Sequence, residues 1–373
     1  MSAEKEAFIG IDVAKLRNAV AIADAGRDGE IRYVGEVDAA PESMKRLIVK
    51  LAAKYDRLHF CYEAGPTGYG LHRQITELGH SCIVVAPSLI PRKASDRVKT
   101  NRRDATALAR LLRAGELTAV WVPDPAHEAM RNLIRSRTAA VETICVHKQQ
   151  VGAFLLRHGR IFPRRKNWGA RYRRWLQQQS FEHPADQIVL QEYVEAVRLA
   201  EERLTRIERA IAEFMPRWRL GPIVDALQAL RGIDLVTAVS FVVEIGDIRR
   251  FASPRQLMGY LGLVPEERST GETIRRGSIT KMGNARIRQL LVESAWTYRF
   301  PPRVGAKKLQ KLDLVSPKIR EIAWKAQSRL TARFRAFSAR GKKTTVACTA
   351  IARELAGFMW AVAMEVPPAP SAA

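Results

Sequence analysis

The chain has 373 residues, more than one ordinary hydrophobic core organises, so at least two domains and a connector are expected. Its 62 Lys and Arg outnumber 38 Asp and Glu, giving a formal charge of +24 and a pI near 10.4; such an excess favours a polyanionic partner, nucleic acid first. No apolar run reaches bilayer length, the N-terminus lacks a signal-peptide pattern, and the four cysteines form no CxxC pair. A cytoplasmic, nucleoid-associated protein with free thiols, no zinc site and no membrane partner is therefore expected.

In chain order, residues 7–12, 18–22 and 31–37 read as three short strands, the last after the turn signal Gly26-Arg-Asp-Gly29. Residues 43–55 place Met44, Leu47, Ile48 and Leu51 at helical spacing. A strand follows at 58–63, then a helix over about 67–78 opened by Gly65-Pro-Thr-Gly68, a strand at 82–86 and a helix at 103–114 stopped by Gly115. Three strands, a helix, and then alternating strands and helices predict a mixed sheet with helices on its faces, an α/β domain over residues 1–125.

Residues 126–218 change character to long helix. Met130, Leu133, Ala140, Ile144, Val151 and Phe154 keep a three-four spacing, and the match improves from Leu190 through Val197, Leu204 and Ile211 to Phe214. A coiled-coil seam is expected, forming an antiparallel arm, a dimer contact, or a bundle within one subunit. Between the two helical runs, residues 157–175 hold eight Lys and Arg, with Phe162, Trp168, Tyr172 and Trp175 among them. Cations neutralise phosphates and aromatic rings stack on unpaired bases, so Arg164, Arg165, Lys166, Trp168, Arg171, Arg173 and Arg174 are candidate nucleic-acid contacts. A solvated basic face with aromatics in a core is the plainer account.

A mainly α domain is expected over residues 219–340, followed by a C-terminal helix and tail over 341–373. Residues 227–238 look like a helix-hairpin-helix element turning at Gly232, although Asp234 stands where that motif usually has glycine, which weakens anion binding at the following helix. A polar, hairpin-like stretch covers residues 266–277. All seven histidines lie at or before His183, so chemistry in this half would proceed without imidazole.

Four residues of the first third carry the chemistry. Asp12 and Glu63 end two strand-like runs, while Asn101 and Asp104 lie where the basic loop Lys99-Thr-Asn-Arg-Arg-Asp104 becomes a helix. Carboxylates converging from strand ends suit two-metal phosphodiester chemistry, with cations roughly 4 Å apart and Mg²⁺ (or Mn²⁺) as the fitting ion. Asp104 shares a helix face with Leu108 and Leu111, so it is expected to point toward the sheet. Each position also has a structural account: Asp12 as a turn residue, Glu63 as an arginine partner, Asn101 as an N-cap with Asp104 favouring the helix dipole.

The blocks Phe8-Ile-Gly-Ile-Asp-Val-Ala-Lys15, Tyr62-Glu-Ala-Gly-Pro-Thr-Gly68 and Lys99-Thr-Asn-Arg-Arg-Asp-Ala105 resemble those of the DEDD transposases of bacterial insertion sequences. Residues 259–288 resemble that family's second domain. The resemblance implies a RuvC-like, ribonuclease H-like N-terminal domain, a long helical coiled-coil connector and a serine transposase domain. It also implies catalytic Asp12, Glu63 and Asp104, with the third family acid falling on Asn101, an uncharged ligand for metal. The implied nucleophilic serine falls within residues 265–277, where Ser269 is chosen over the more hindered Thr270, with Arg268, Arg275, Arg276 and Lys281 to offset phosphate charge. Implied partners are donor and target DNA, a noncoding bridge RNA, and further copies of the chain in a homodimer or homotetramer. Two other classes compete: a RuvC-like nuclease cutting branched DNA without a covalent intermediate, and an actin- or sugar-kinase-like ATPase. The ATPase needs a second phosphate loop and an adenosine motif, and neither is present in the sequence.

Overall fold

The computed structural model describes residues 5–91, 100–164, 168–270 and 273–368. The chain divides into two units, Met1–Val122 and Pro123–Ala373.

In the first unit, strands β1 (Glu6–Asp12), β2 (Arg17–Asp24) and β3 (Ile31–Asp38) lead into helix α1 (Pro41–Ala52). Strand β4 (Arg57–Glu63), helix α2 (Gly70–Glu77), strand β5 (Ser81–Val85) and helix α3 (Asn101–Arg113) follow. The five strands form one sheet in the order β3-β2-β1-β4-β5. β2 runs antiparallel to β1 and β3, whereas β4 is parallel to both β1 and β5. The alternation of each strand sorts its residues by size. Ile9, Ile11, Val20, Ile22, Phe60 and Tyr62 pack with Met44, Ile48 and Ile75 in one core. Small residues face the other way: Ala19, Ala21 and Ala23 cluster with Ala105 and Ala109 of α3. That difference lets α3 come into backbone contact with the sheet. A Cβ added at Gly10 would lie 2.3 Å from both the Ala105 carbonyl oxygen and the Ala109 nitrogen, so only glycine fits there.

The second unit opens with helices α4 (Pro125–Arg157), α5 (Ala170–Gln177) and α6 (Pro184–Phe214). α4 and α6 pair antiparallel within the chain: Arg137 meets Glu208 at 2.9 Å, Lys148 meets Glu201 at 2.8 Å and His158 meets Asp186 at 3.9 Å. The expected seam residues Leu190, Val197, Ala200 and Ile211 are buried along it. Phe214, also expected in the seam, is exposed because α6 ends there and the chain turns through Met215–Arg217.

Helices α7 (Gly221–Leu227), α8 (Leu235–Ile245) and α9 (Pro254–Tyr260) come next, then a hairpin of β6 (Pro265–Glu267) and β7 (Arg276–Ile279). Helices α10 (Ala285–Ala295), α11 (Ala306–Asp313), α12 (Pro317–Ala339) and α13 (Thr344–Met364) complete the described elements. α13 is long and apolar enough to cross a membrane, contrary to the expectation that no segment is. Its Ile351, Leu355, Met359 and Val362 are instead buried in the core shared with α7, α10 and α12.

Candidate functional site

The pairing of β1 with β4 brings the first two carboxylates together. The last registered pair is Ile11 with Tyr62, so Asp12 and Glu63 emerge side by side at the carboxyl ends of adjacent parallel strands, whose backbones run about 4.8 Å apart. Asp12 has the same strand parity as Gly10, and Glu63 the same parity as Cys61. Both Gly10 and Cys61 face α3: Gly10 touches its backbone, and the Cys61 thiol donates to the Leu108 carbonyl at 3.6 Å. Both acids thus project on the face that α3 covers, and both are partly buried. Asp104 is also partly buried and precedes Ala105, the residue lying against Gly10.

Asn101 behaves differently. The N-cap of α3 is Thr100, whose hydroxyl accepts from the Arg103 N–H at 3.3 Å. The expected capping role of Asn101 is therefore taken by the residue before it, and Asn101 stands exposed at the first helical position. Among the described residues no three His, Cys, Asp or Glu side chains close into a metal-holding cluster. The strand pair and the helix residue form an open set. Its donors, carboxylate oxygens, are the hard ligands a divalent cation such as Mg²⁺ takes, so the residues fit such an ion.

Ser269 belongs to the second unit. The hairpin continues past its strands, with Arg268 N–H donating to Arg275 O at 2.9 Å and Thr270 and Thr273 exchanging hydrogen bonds of 3.2 and 3.1 Å. Ser269 is exposed, and its Oγ donates to Glu267 Oε1 at 3.0 Å. Arg276 holds the other oxygen of that carboxylate at 3.4 Å. Glu267, not among the expected site residues, ends β6 two residues before Ser269. The hairpin is aimed by a backbone crossing. A Cβ at Gly262 would meet Met282 N and O at 2.4 and 2.3 Å, and one at Gly283 would meet Tyr260 O at 2.1 Å. Asn284 then caps α10 and donates to Glu244 at 2.9 Å. Arg268, Arg275, Arg276 and Lys281 are all exposed around this hairpin.

Two other candidate stretches are engaged in capping and packing. The carboxylate of Asp234 accepts from Thr237 N–H at 2.8 Å and caps α8 itself, so the helix-hairpin-helix turn does not offer that first turn to a phosphate. From the other side Lys308 donates to the carbonyls of Gln228, Leu230 and Ile233; its burial pulls the ammonium down to about 8. In the basic arm, Phe162, Trp168, Tyr172 and Trp175 pack on one another with centroids 5.1 to 5.4 Å apart. Tyr172 is buried in a small core with Val151, Phe154 and Leu190, and Phe162, Trp168 and Trp175 pack partly buried against it. Arg173 is held by Glu201 at 2.7 Å, whereas Arg164, Arg171 and Arg174 are exposed; Arg165 and Lys166 lie outside the described residues.

Against this geometry, residues 9–159 match the DEDD_Tnp_IS110 transposase family, and residues 224–307 match the Transposase IS116/IS110/IS902 family. The "Putative transposase y4qE" of Sinorhizobium fredii is 65% identical over 361 residues, covering 97% of this chain and 89% of that protein. The chain belongs to the IS110-type transposases. The transposase for insertion sequence element IS1533 of Leptospira borgpetersenii is 30% identical over 91% of this transposase and 99% of its own length. A probable family 20 transposase of Pseudomonas aeruginosa is 29% identical over 60% and 66%. The first match of this transposase contains Asp12, Glu63, Asn101 and Asp104, and the second contains Ser269. Membership makes it a DNA recombinase and implies a divalent metal and DNA substrates.

Proposed function

We propose that this transposase cuts and rejoins donor and target DNA with a metal site at Asp12, Glu63 and Asp104 and with Ser269 as nucleophile. The observation that carries the reading is the parallel β1–β4 pairing, which sets Asp12 and Glu63 side by side under a helix that supplies Asp104. The strand order, with three antiparallel strands followed by two parallel ones, supports a ribonuclease H-like domain. Asn101 is an outer, neutral ligand in this scheme. Mg²⁺ bound there would offset charge on the phosphate oxygens.

The chain's own groups do the rest. Glu267 accepts the proton of Ser269 as Oγ attacks phosphorus. The bond from phosphorus to one sugar oxygen breaks as the Oγ–P bond forms; that sugar oxygen takes a proton from water, and Glu267 returns its own to solvent. One ester is exchanged for another, so a later attack by a DNA hydroxyl on the same phosphorus restores Ser269 and joins strands without an external energy source. Arg268, Arg275 and Lys281 offset the developing charge, and Arg276 steadies Glu267. Guidance by a noncoding bridge RNA draws support from the charge of +24 and the exposed arginines of the arm. Action at the nucleoid, in a homodimer or homotetramer, completes the reading.

Ser269→Ala is expected to abolish strand joining by at least about 10³-fold while DNA binding survives. Thr270→Ala should retain joining; a reversal of the two would move the nucleophile to Thr270. Glu267→Gln should slow joining about 10²-fold, and an undiminished joining rate would remove Glu267 as proton acceptor. Asp104→Ala should lose activity with an unchanged melting temperature; inactivity accompanied by unfolding would make Asp104 a folding residue.

A further inference from the structure

A cavity of about 600 Å³ opens in the first unit just past the carboxylates, on the opposite side of the strand end. Asp12 projects toward α3, and the next residue, Val13, lines the cavity. The walls come from the β1–β2 turn, the start of α1, one side of α2 along its length to Leu78, and the Thr67-Gly68 loop that follows Glu63. Both strand ends that carry the paired acids therefore feed directly into it.

The lining has the mixed chemistry of a nucleotide site. Lys15, Lys45 and Arg73 are set against Glu42 and Glu77, a net excess of one positive charge, which matches a single phosphodiester rather than a polyphosphate. Val13, Leu71 and Leu78 supply an apolar wall. Asn18 is only 2% exposed, yet it lines the cavity. Its Oδ1 accepts from Ala14 N–H at 3.1 Å, which leaves the carboxamide nitrogen as a donor on the wall. Gln74 donates to the Pro41 carbonyl at 2.6 Å and ties the α1 and α2 ends together, so the cavity is held open by structure. A pocket of this size, with an apolar wall and a few placed polar groups, is of the kind that takes a small organic ligand.

We propose that this cavity receives one unpaired nucleotide of the DNA strand whose neighbouring phosphate lies at Asp12 and Glu63. The inference rests on the carboxylate reading above and adds a requirement to it: the strand entering the site is single-stranded on the β1–β2 turn side. The base would lie against Val13, Leu71 and Leu78, with its phosphate toward Lys15, Lys45 and Arg73. Asn18 and the exposed Thr67 hydroxyl provide hydrogen bonds to the base or sugar.

The test uses the full-length protein in EDTA, where binding is read without cleavage. Fluorescence anisotropy is measured with a labelled oligodeoxythymidylate, a duplex of equal length, and the corresponding RNA. Lys45→Glu reverses one cavity charge, and Thr67→Trp fills the mouth with no change of charge; both positions are exposed, and a melting temperature checks folding. Each variant is expected to weaken single-stranded DNA binding about tenfold and leave duplex binding within about twofold. Equal weakening of duplex and single strand would overturn the proposal, as would no weakening. Cavity-dependent binding of RNA in preference to DNA would overturn the assignment to the DNA strand. Asp12→Asn is measured alongside for strand cutting: if cutting survives, the carboxylate reading fails, and that failure is separate from the anisotropy result.

Discussion

Asp12 leaves the end of a strand buried on both faces, with a helix in backbone contact two residues upstream, whereas Ser269 rides on an exposed hairpin held by a few hydrogen bonds. The two settings suit different tasks. Ligands for a cation must keep their spacing against mutual repulsion, and a tightly packed sheet resists that force. In the proposed reaction the serine attacks, stays bonded and later releases its phosphate, and such a group gains from a support that can follow the substrate. The hairpin nevertheless has a firm root, because the Gly262–Gly283 crossing allows neither segment to drift from the other.

The contrast can be broken at either end. Gly10→Val should be the most damaging change, costing about 3 kcal/mol or more, because its side chain would overlap the α3 backbone and force the helix off the sheet. Thermal unfolding of the full chain should show the first unit melting early. Gly65→Val is the matched control, since its Cβ meets nothing closer than Glu63 O at 3.9 Å. Gly283→Ala should cost less, about 1 to 3 kcal/mol, because strain at φ +69° and the overlap with Tyr260 O can be relieved by moving an exposed hairpin. Strand joining should fall further than stability does, and a variant that joins normally would show that the crossing does not aim Ser269.

The mildest effect concerns pH. His127 is 1% exposed, donates to Val243 O at 2.8 Å and lies against Trp218, and burial pushes its imidazole below the usual range. The folded protein therefore resists a proton that the unfolded chain accepts near pH 6.5. Stability is full above that pH and declines as pH falls through it toward the depressed folded value. Melting curves between about pH 7 and 5 should show this decline in the second unit, and His127→Phe should make it shallower.

The acid pair was legible in the sequence because strand alternation and parallel pairing place strand-end residues with little freedom. Asn101 was misjudged by one position, since Thr100 and Asn101 both satisfy capping chemistry and only the backbone angle selects between them. The aromatic arm and α13 were ambiguous in the sequence for a shared reason. Arginine with aromatics describes a base-stacking platform and a local core equally well, and a long apolar helix describes a membrane span and a buried centrepiece equally well. Composition cannot separate these pairs; what the helix packs against can.

The position of α13 bears on how the protein is made. It follows in sequence every element whose apolar surface it covers, from α7 to α12, while Met1–Val122 needs nothing beyond itself for its own core. During synthesis the acid-bearing unit can close first, and the serine-bearing unit stays unfinished until its last long helix has left the ribosome. A message cut short ahead of α13 would thus yield a folded first unit beside a coreless second one.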